Sequence, residues 1–148
     1  DFIIGRRIYY KFSTSRSFNN NTKSGDLILA VLAAECKANL DKTMFQEARA
    51  TASVLKQGCP VAKYYVLVEY LDMPPEDCRL TAIDNVFLIR RAHRLPPDKR
   101  NVLSEVEKMH RDHPIDPNII WKFVEEIQKF IDAVWYNPEE ALERGSFI

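Results

Sequence analysis

The alternation of apolar and polar residues divides the first part of the chain into strand-like segments. Two short segments, Phe2 to Ile4 and Ile8 to Phe12, predict a β-hairpin with its turn at or near Gly5. The stretch from Ser13 to Gly25 is rich in Ser, Asn and Thr, which is typical of a mobile loop. Leu27 to Leu40 begins as an unbroken apolar run, which predicts a strand that is buried in a sheet at one end.

Helical periodicity begins after this strand and returns at the end of the chain. Thr43 and Gln46 form a capping-box pattern that predicts the start of a helix, and Gly58 predicts its left-handed end. Asp116 followed by Pro117 predicts the start of a longer helix. The other predicted elements are strands at Tyr64 to Leu71 and Asn85 to Arg90 and helices at Val102 to His110 and Asn137 to Gly145. This order predicts an α/β fold with a central mixed sheet flanked by helices.

Length and composition are typical of a single globular domain. The chain has 148 residues, of which 46 % are hydrophobic and 28 % are charged. It begins at Asp1 without an initiator Met and runs directly into an apolar segment. We therefore expect residues 1–148 to form one domain of a longer protein whose N-terminal region is missing.

Cysteine content and hydropathy indicate the compartment. The three cysteines are odd in number and lack metal-ligand spacing, which favours a reduced, cytoplasmic protein. No apolar run approaches the roughly 18 residues that span a bilayer, so we expect no membrane association.

The formal net charge is zero, so a nucleic-acid partner would require patterned rather than excess basic charge. Two basic clusters are present, and solvated surface and DNA contact explain each of them equally well. They are Arg6, Arg7, Lys11, Arg16 and Lys23, and Arg90, Arg91, Arg94, Lys99 and Arg100.

The triplet Glu35-Cys36-Lys37 is the main candidate for chemistry. On a strand, Glu35 and Lys37 share one face, and Cys36 is expected to be a buried core residue on the other. A carboxylate can bind Mg²⁺, which stabilises charge in phosphodiester hydrolysis, and a lysine can orient the attacking water. An isolated Glu-x-Lys is usually a surface salt bridge, so the triplet needs a second carboxylate nearby.

Asp1 and Asp26 are the two candidates for that carboxylate. Asp26 lies nine residues before Glu35, and nine extended residues span roughly 30 Å without a turn. Asp1 begins a short segment that can pair antiparallel with the Glu35 strand. Strand geometry favours Asp1, and Asp26 remains the alternative.

Six stretches together resemble the PD-(D/E)xK restriction endonucleases of the BbvCI type, which are built from two related subunits. They are Asp1 to Gly5, Ala34 to Lys37, Val68 to Leu71, Leu80 to Asp84, Pro114 to Asp116 and Asn137 to Gly145. The resemblance covers nearly the whole chain, although Ser13 to Gly25 departs from the pattern.

The resemblance implies a type II enzyme of the bacterial cytoplasm that cuts double-stranded DNA at a specific site. It implies that Asp1, Glu35 and the Cys36 backbone carbonyl bind Mg²⁺, and that Lys37 positions the attacking water. It also implies pairing with a second related subunit or a second copy. Two alternatives remain: a repair or recombination nuclease of the same fold, and a non-catalytic DNA-binding module.

Several further residues have both a functional and a structural interpretation. Gln46 and Glu47 could add a polar group to the site, although capping and solvation are the simpler explanations. Lys42 and Arg49, and more weakly Arg6 and Arg7, could contact DNA phosphates. The remaining expectations are structural: core packing for Trp121 and Trp135, a structural role for Glu69, and no zinc site at His110 and His113.

Overall fold

A mixed four-stranded sheet in the order β1-β2-β3-β4 organises the computed structural model, which describes residues 1–146. Its strands are β1 (Phe2–Ser13), β2 (Thr22–Leu40), β3 (Lys63–Leu71) and β4 (Asn85–Leu88). The helices are α1 (Lys42–Gly58), α2 (Leu103–Asp112), α3 (Pro117–Val134) and α4 (Pro138–Arg144). β1 pairs antiparallel with β2, whereas β2, β3 and β4 are parallel, which confirms the predicted mixed α/β fold.

The first strand differs from the prediction, because the hairpin at Gly5 does not form. β1 is continuous through Gly5 and pairs with β2 along its whole length. The register shifts between Ile4 and Gly5, which is a β-bulge. A Cβ on Gly5 would lie only 2.5 Å from the carbonyl oxygen of Leu29, so glycine permits this close approach of the two strands. The actual turn spans residues 14–21 and is shorter than the predicted loop.

β2 is also longer and more exposed at its start than predicted. β3 pairs with it only from Leu32 onwards, so the earlier residues have β1 as their sheet neighbour. Leu27 and Ile28 are therefore 47 % and 57 % exposed, although they belong to the apolar run. The buried part of β2 begins at Val31.

A single residue, Asp41, separates the end of β2 from the start of α1. Asp41 caps the helix, and its side chain accepts a hydrogen bond of 2.9 Å from the backbone N–H of Met44. The predicted capping box of Thr43 and Gln46 was wrong, because Asp41 already satisfies that role two residues earlier.

Helix ends follow the predictions in part. Gly58 does not end α1 in a left-handed conformation; the cap is Cys59, with φ −142° and a hydrogen bond from its N–H to Leu55. Asp116 caps α3 with Pro117 in its first turn, as predicted. α4 ends at Gly145, which has φ 66° and is the left-handed glycine within residues 1–146.

Two apolar clusters cover opposite faces of the sheet. On one face, Phe45, Ala48 and Ala52 of α1 pack against Val66 and Val68 of β3. On the other face, Phe123 of α3 packs against the residues Leu32, Ala34, Tyr65 and Phe87.

Trp121 and Trp135 were predicted to be core residues, and that was wrong. Trp121 is 63 % exposed and bonds to Glu125 one helical turn later, and Trp135 is 37 % exposed. Within residues 1–146, no helix is both long and apolar enough to cross a bilayer.

Candidate active site

Glu35 and Lys37 lie in the second half of β2, where it pairs with β3. Their partners in the parallel register are Val66 and Val68, which belong to the cluster that packs against α1. The Lys37 Nζ atom lies 2.7 Å from Glu35 Oε1, and the two side chains are 30 % and 19 % exposed. The predicted shared face of Glu35 and Lys37 is therefore present, as a partly buried ion pair at the edge of the core.

Asp1 lies beside this ion pair. Because Phe2 pairs with Ala34, extending the antiparallel register by one residue places Asp1 opposite Glu35. The Asp1 carboxylate oxygen Oδ1 accepts a hydrogen bond of 2.8 Å from the backbone N–H of Cys36. We call Asp1, Glu35, Cys36 and Lys37 the Glu35 site.

Asp26 lies elsewhere on the same strand. It pairs with Tyr9 of β1, and its carboxylate lies 3.4 Å from the guanidinium of Arg7. Because β2 is continuous between Asp26 and Glu35, the two carboxylates are roughly 30 Å apart along an extended strand. The structure thus brings Asp1 to the Glu35 site and keeps Asp26 away from it.

Tyr64 contributes a contact to Glu35 that the sequence analysis did not identify. Its phenolic O–H donates a hydrogen bond of 2.8 Å to Glu35 Oε2, and the side chain is only 3 % exposed. Burial, followed by the hydrogen bond and the charge of Glu35, raises the pKa of the Tyr64 phenol well above its ordinary value. β3 contains three tyrosines, and a buried phenol needs a hydrogen-bond partner, but the sequence does not show which tyrosine reaches Glu35.

Asp84 holds the start of β3 in place beside Tyr64. Its carboxylate accepts hydrogen bonds of 2.8 Å from Lys63 Nζ and from the backbone N–H of Tyr64, and Lys56 Nζ lies 2.7 Å away. Burial acts to raise the pKa of Asp84, but the hydrogen bonds from Lys56, Lys63 and Tyr64 outweigh it, so the pKa lies below its ordinary value.

Cys36 differs from its predicted environment. It was expected to be a buried core residue, but its side chain is exposed. The apolar cluster against α3 covers Leu32 and Ala34 on the preceding part of β2 and does not extend to Cys36.

The accessory candidates Gln46 and Glu47 lie on exposed positions of α1. The Glu47 backbone carbonyl accepts a hydrogen bond of 3.1 Å from the Thr51 hydroxyl. This contact lies within α1 and involves the backbone of Glu47, not its carboxylate.

The candidate DNA contacts lie in two regions. Lys42 is exposed at the start of α1, and the guanidinium of Arg49 lies 5.9 Å from the ring centre of Phe45. On β1, Arg6 lies over the ring of Trp135, and Arg7 pairs with Asp26.

The second basic cluster contains one structural residue. Arg90 is 4 % exposed, so it is not available as a surface contact. Its Nε donates a hydrogen bond of 3.0 Å to Glu69, its Nη1 bonds to the carbonyl of His113, and its guanidinium lies over the ring of Tyr70. The structural role predicted for Glu69 is therefore confirmed, and Arg91, Arg94, Lys99 and Arg100 remain as the exposed part of the cluster.

The fold defined by this sheet is that of a restriction-enzyme subunit. The chain is similar to a solved structure described as the native BbvCI A2B2 tetramer at low resolution, with a TM-score of 0.60 and 15 % sequence identity. The match covers 92 % of this chain and 61 % of the other, so the chain spans about three fifths of the length of that subunit.

A match between the sequence and a protein-family model shows the family of the chain. The model of the Bpu10I restriction endonuclease family matches residues 1–147, and the chain belongs to that family. The predicted resemblance to restriction endonucleases of the BbvCI type is thereby confirmed. A search of curated proteins gave no match.

Proposed function

We propose that this chain carries the catalytic domain of a Mg²⁺-dependent type II restriction endonuclease that hydrolyses DNA phosphodiester bonds at a specific sequence. The observation that supports this most strongly is the convergence of Asp1, which directly precedes β1, with Glu35 and Lys37 of β2. Membership of the Bpu10I restriction endonuclease family supports the same assignment. The domain proposed for this activity comprises residues 1–148, and we infer a location in the bacterial cytoplasm.

The donor atoms of the Glu35 site fit a hard cation. Mg²⁺ binds in proteins through one or two carboxylates, with water and other oxygens completing its coordination. Asp1 and Glu35 offer two carboxylates, one just before β1 and one on β2, and Cys36, whose N–H donates to Asp1, follows Glu35 directly in the chain. Within residues 1–146, no group of three or more His, Cys, Asp or Glu side chains could hold a metal, so the proposed ligand set depends on carboxylates, the carbonyl and water.

Mg²⁺ and Lys37 would have different roles in the hydrolysis. When bound, Mg²⁺ would stabilise negative charge on the phosphate and lower the pKa of a water molecule. Lys37 would donate a hydrogen bond to the attacking water and orient it towards the phosphorus. Its ammonium would also offset the negative charge that develops during the displacement. The 2.7 Å distance between Lys37 Nζ and Glu35 Oε1 supports this role, because the ammonium lies beside a proposed metal ligand.

Cleavage of both DNA strands calls for two such sites. The similar solved structure is described as an A2B2 tetramer, which supports the proposal that this chain acts with a second related subunit or a second copy. Each subunit would then place one Glu35 site at one strand of the duplex. The exposed basic residues Lys42 and Arg49 would contact phosphates and fix the register without reading the sequence.

Plasmid cleavage tests the proposal. The wild-type chain, with any partner subunit it requires, is expected to convert plasmid DNA into discrete fragments in the presence of Mg²⁺. Glu35→Ala and Lys37→Ala should abolish cutting while retaining the fold, as measured by circular dichroism. The matched control Glu107→Ala, at an exposed position of α2, should retain most of the activity. Equal cutting by all four proteins would contradict the proposal.

The pattern of products separates the two alternatives. Fragments with defined ends, mapped by sequencing, indicate a site-specific enzyme. Heterogeneous ends that follow DNA structure would indicate a repair or recombination nuclease instead. DNA binding without cleavage under every metal condition would indicate a non-catalytic module.

A further inference from the structure

Tyr64 connects the Glu35 site to the core of the protein. Its ring lies in the apolar cluster between α1 and the sheet, and its O–H reaches Glu35 Oε2 at 2.8 Å. We propose that Tyr64 is a positioning residue that holds the Glu35 carboxylate in the orientation needed to bind the divalent cation. The inference rests on the proposed function, because it assigns Glu35 as a metal ligand.

The two oxygens of Glu35 are held from two directions. Lys37 Nζ lies 2.7 Å from Oε1, and the Tyr64 phenol donates to Oε2. The terminal torsion of a free glutamate is broad, so two bonds to opposite oxygens restrict its rotation. A carboxylate accepts roughly four hydrogen bonds or metal contacts, so both oxygens keep free lone pairs for a cation.

Tyr64 can hold Glu35 because its own position is fixed. Its backbone N–H donates a hydrogen bond of 2.8 Å to Asp84 Oδ2. The same carboxylate is bound by Lys56 of α1 and by Lys63 at the start of β3. β3, which carries Tyr64, is therefore anchored to α1 through Asp84. This anchoring restricts the movement of the Tyr64 phenol.

Lys37 cannot replace this function of Tyr64. The Lys37 side chain is 30 % exposed and is proposed to contact the attacking water, so its bond to Glu35 must remain adjustable. The Tyr64 side chain is 3 % exposed, and the phenol has no such second task. Groups that orient a metal ligand typically contribute 10–100-fold to metal affinity or activity.

Tyr64→Phe removes the phenolic oxygen and keeps the ring in the core. Tyr65→Phe is the matched control, because it makes the same change on the next residue of β3, which packs on the opposite face of the sheet against Phe87 and Phe123. Mn²⁺ binding to the protein without DNA, followed by electron paramagnetic resonance, gives a readout that is independent of turnover. Tyr64→Phe is expected to weaken Mn²⁺ binding by about 10–100-fold, and Tyr65→Phe to leave it within about twofold.

The dependence of cleavage on Mg²⁺ gives the second readout. For Tyr64→Phe, we expect a shift of the half-maximal Mg²⁺ concentration to higher values, with much of the rate restored at saturating Mg²⁺. In a Glu35→Gln background, the same change should have no further effect on Mn²⁺ binding, because the oriented carboxylate is already lost. The melting temperatures of these variants also distinguish a positioning role from a structural one. If Tyr64 had only a structural role, Tyr64→Phe would lower the melting temperature equally in the wild-type and Glu35→Gln backgrounds.

Two results would overturn the inference in distinguishable ways. If wild type binds Mn²⁺ more tightly than Glu35→Gln and cuts DNA, but Tyr64→Phe matches wild type in both assays, only the role of Tyr64 is wrong. If Glu35→Gln binds Mn²⁺ and cuts DNA as well as wild type does, the proposed function fails, and the role of Tyr64 fails with it.

Discussion

At the scale of single residues, Glu35 is the side chain on which the contacts of the proposed site converge. Lys37 reaches one of its oxygens, Tyr64 reaches the other, and Asp1 lies opposite it at the position just before β1. The pairing of Glu35 with Lys37 could be predicted from alternation along one strand. The contact with Tyr64 could not, because it depends on the parallel register of β2 and β3, which the sequence does not show.

A residue-scale prediction concerns the dependence of stability on pH at Asp84. Its pKa in the folded protein lies below the ordinary value of 3.8. A lowered pKa means that the ionised carboxylate stabilises the fold fully above the ordinary value. That stabilisation is lost as the pH falls through the lowered value. The free energy of unfolding, measured in urea from pH 7 to pH 2, should therefore decrease at the acidic end.

Asp84→Asn is the matched variant for this measurement. It should lower the free energy of unfolding by about 1.5–3 kcal/mol at pH 7, because it removes charged hydrogen bonds to Lys56 and Lys63. The difference between wild type and variant should shrink as the pH falls below the lowered pKa. A difference that stays constant from pH 7 to pH 2 would contradict the role assigned to the ionised carboxylate.

At the scale of elements, the helices and the parallel strands followed the sequence pattern, and β1 did not. Polar residues between Ile4 and Ile8 suggested a turn at Gly5, because a sequence does not show whether a glycine turns the chain or lets two strands approach closely. Because β2 pairs with β1 on both sides of Gly5, the chain stays extended there and does not turn. The same continuity of β2 places Asp1 beside Glu35, so the bulge at Gly5 is part of the framework of the site.

Gly5→Ala tests the bulge at Gly5. A Cβ there would lie 2.5 Å from the backbone oxygen of Leu29, so we expect a loss of about 1–3 kcal/mol in the free energy of unfolding. Gly58→Ala is the control, since a Cβ at Gly58 has no heavy atom within 4 Å, and it should be neutral or stabilising. Thermal or urea unfolding measures both; equal stability of the two variants would argue against the close approach.

The start of α1 provides a second test at this scale. Asp41→Ala removes the side chain that caps Met44 N–H and should cost about 0.5–2 kcal/mol in unfolding free energy. Thr43→Ala should cost much less, because Thr43 lies inside the helix and does not cap it. If Thr43→Ala proved the more destabilising change in urea titrations, the capping box predicted from the sequence would be correct after all.

At the scale of the whole molecule, the sheet and its two helical layers account for the fold shared with the BbvCI subunit. The antiparallel pair of β1 and β2 extends beyond these layers and exposes apolar side chains. They include Ile8, Tyr9, Phe12, Leu27 and Ile28. For Leu27 and Ile28 the sequence pattern predicted burial, because an apolar run does not reveal which of its residues have a neighbouring layer.

The proposed assembly leads to a prediction at this scale. If two Glu35 sites act together on one duplex, supercoiled plasmid should become linear with little accumulation of the nicked form. Inactivating the Glu35 site of one subunit alone should convert the product to nicked circles. Agarose-gel time courses distinguish these forms, and accumulation of nicked circles by the intact assembly would contradict coupled cleavage.

The proposed metal site lies between the start of β1 and Glu35 of β2, with Asp1, just before β1, as the second carboxylate. The most direct test is the single-turnover rate of DNA cleavage at saturating Mg²⁺ for Asp1→Asn and Asp26→Asn. Asp1→Asn should lower the rate at least about 100-fold, as expected when a metal ligand is lost, whereas Asp26→Asn should remain within about threefold of wild type. Loss of cleavage in Asp26→Asn with activity retained in Asp1→Asn would contradict the account.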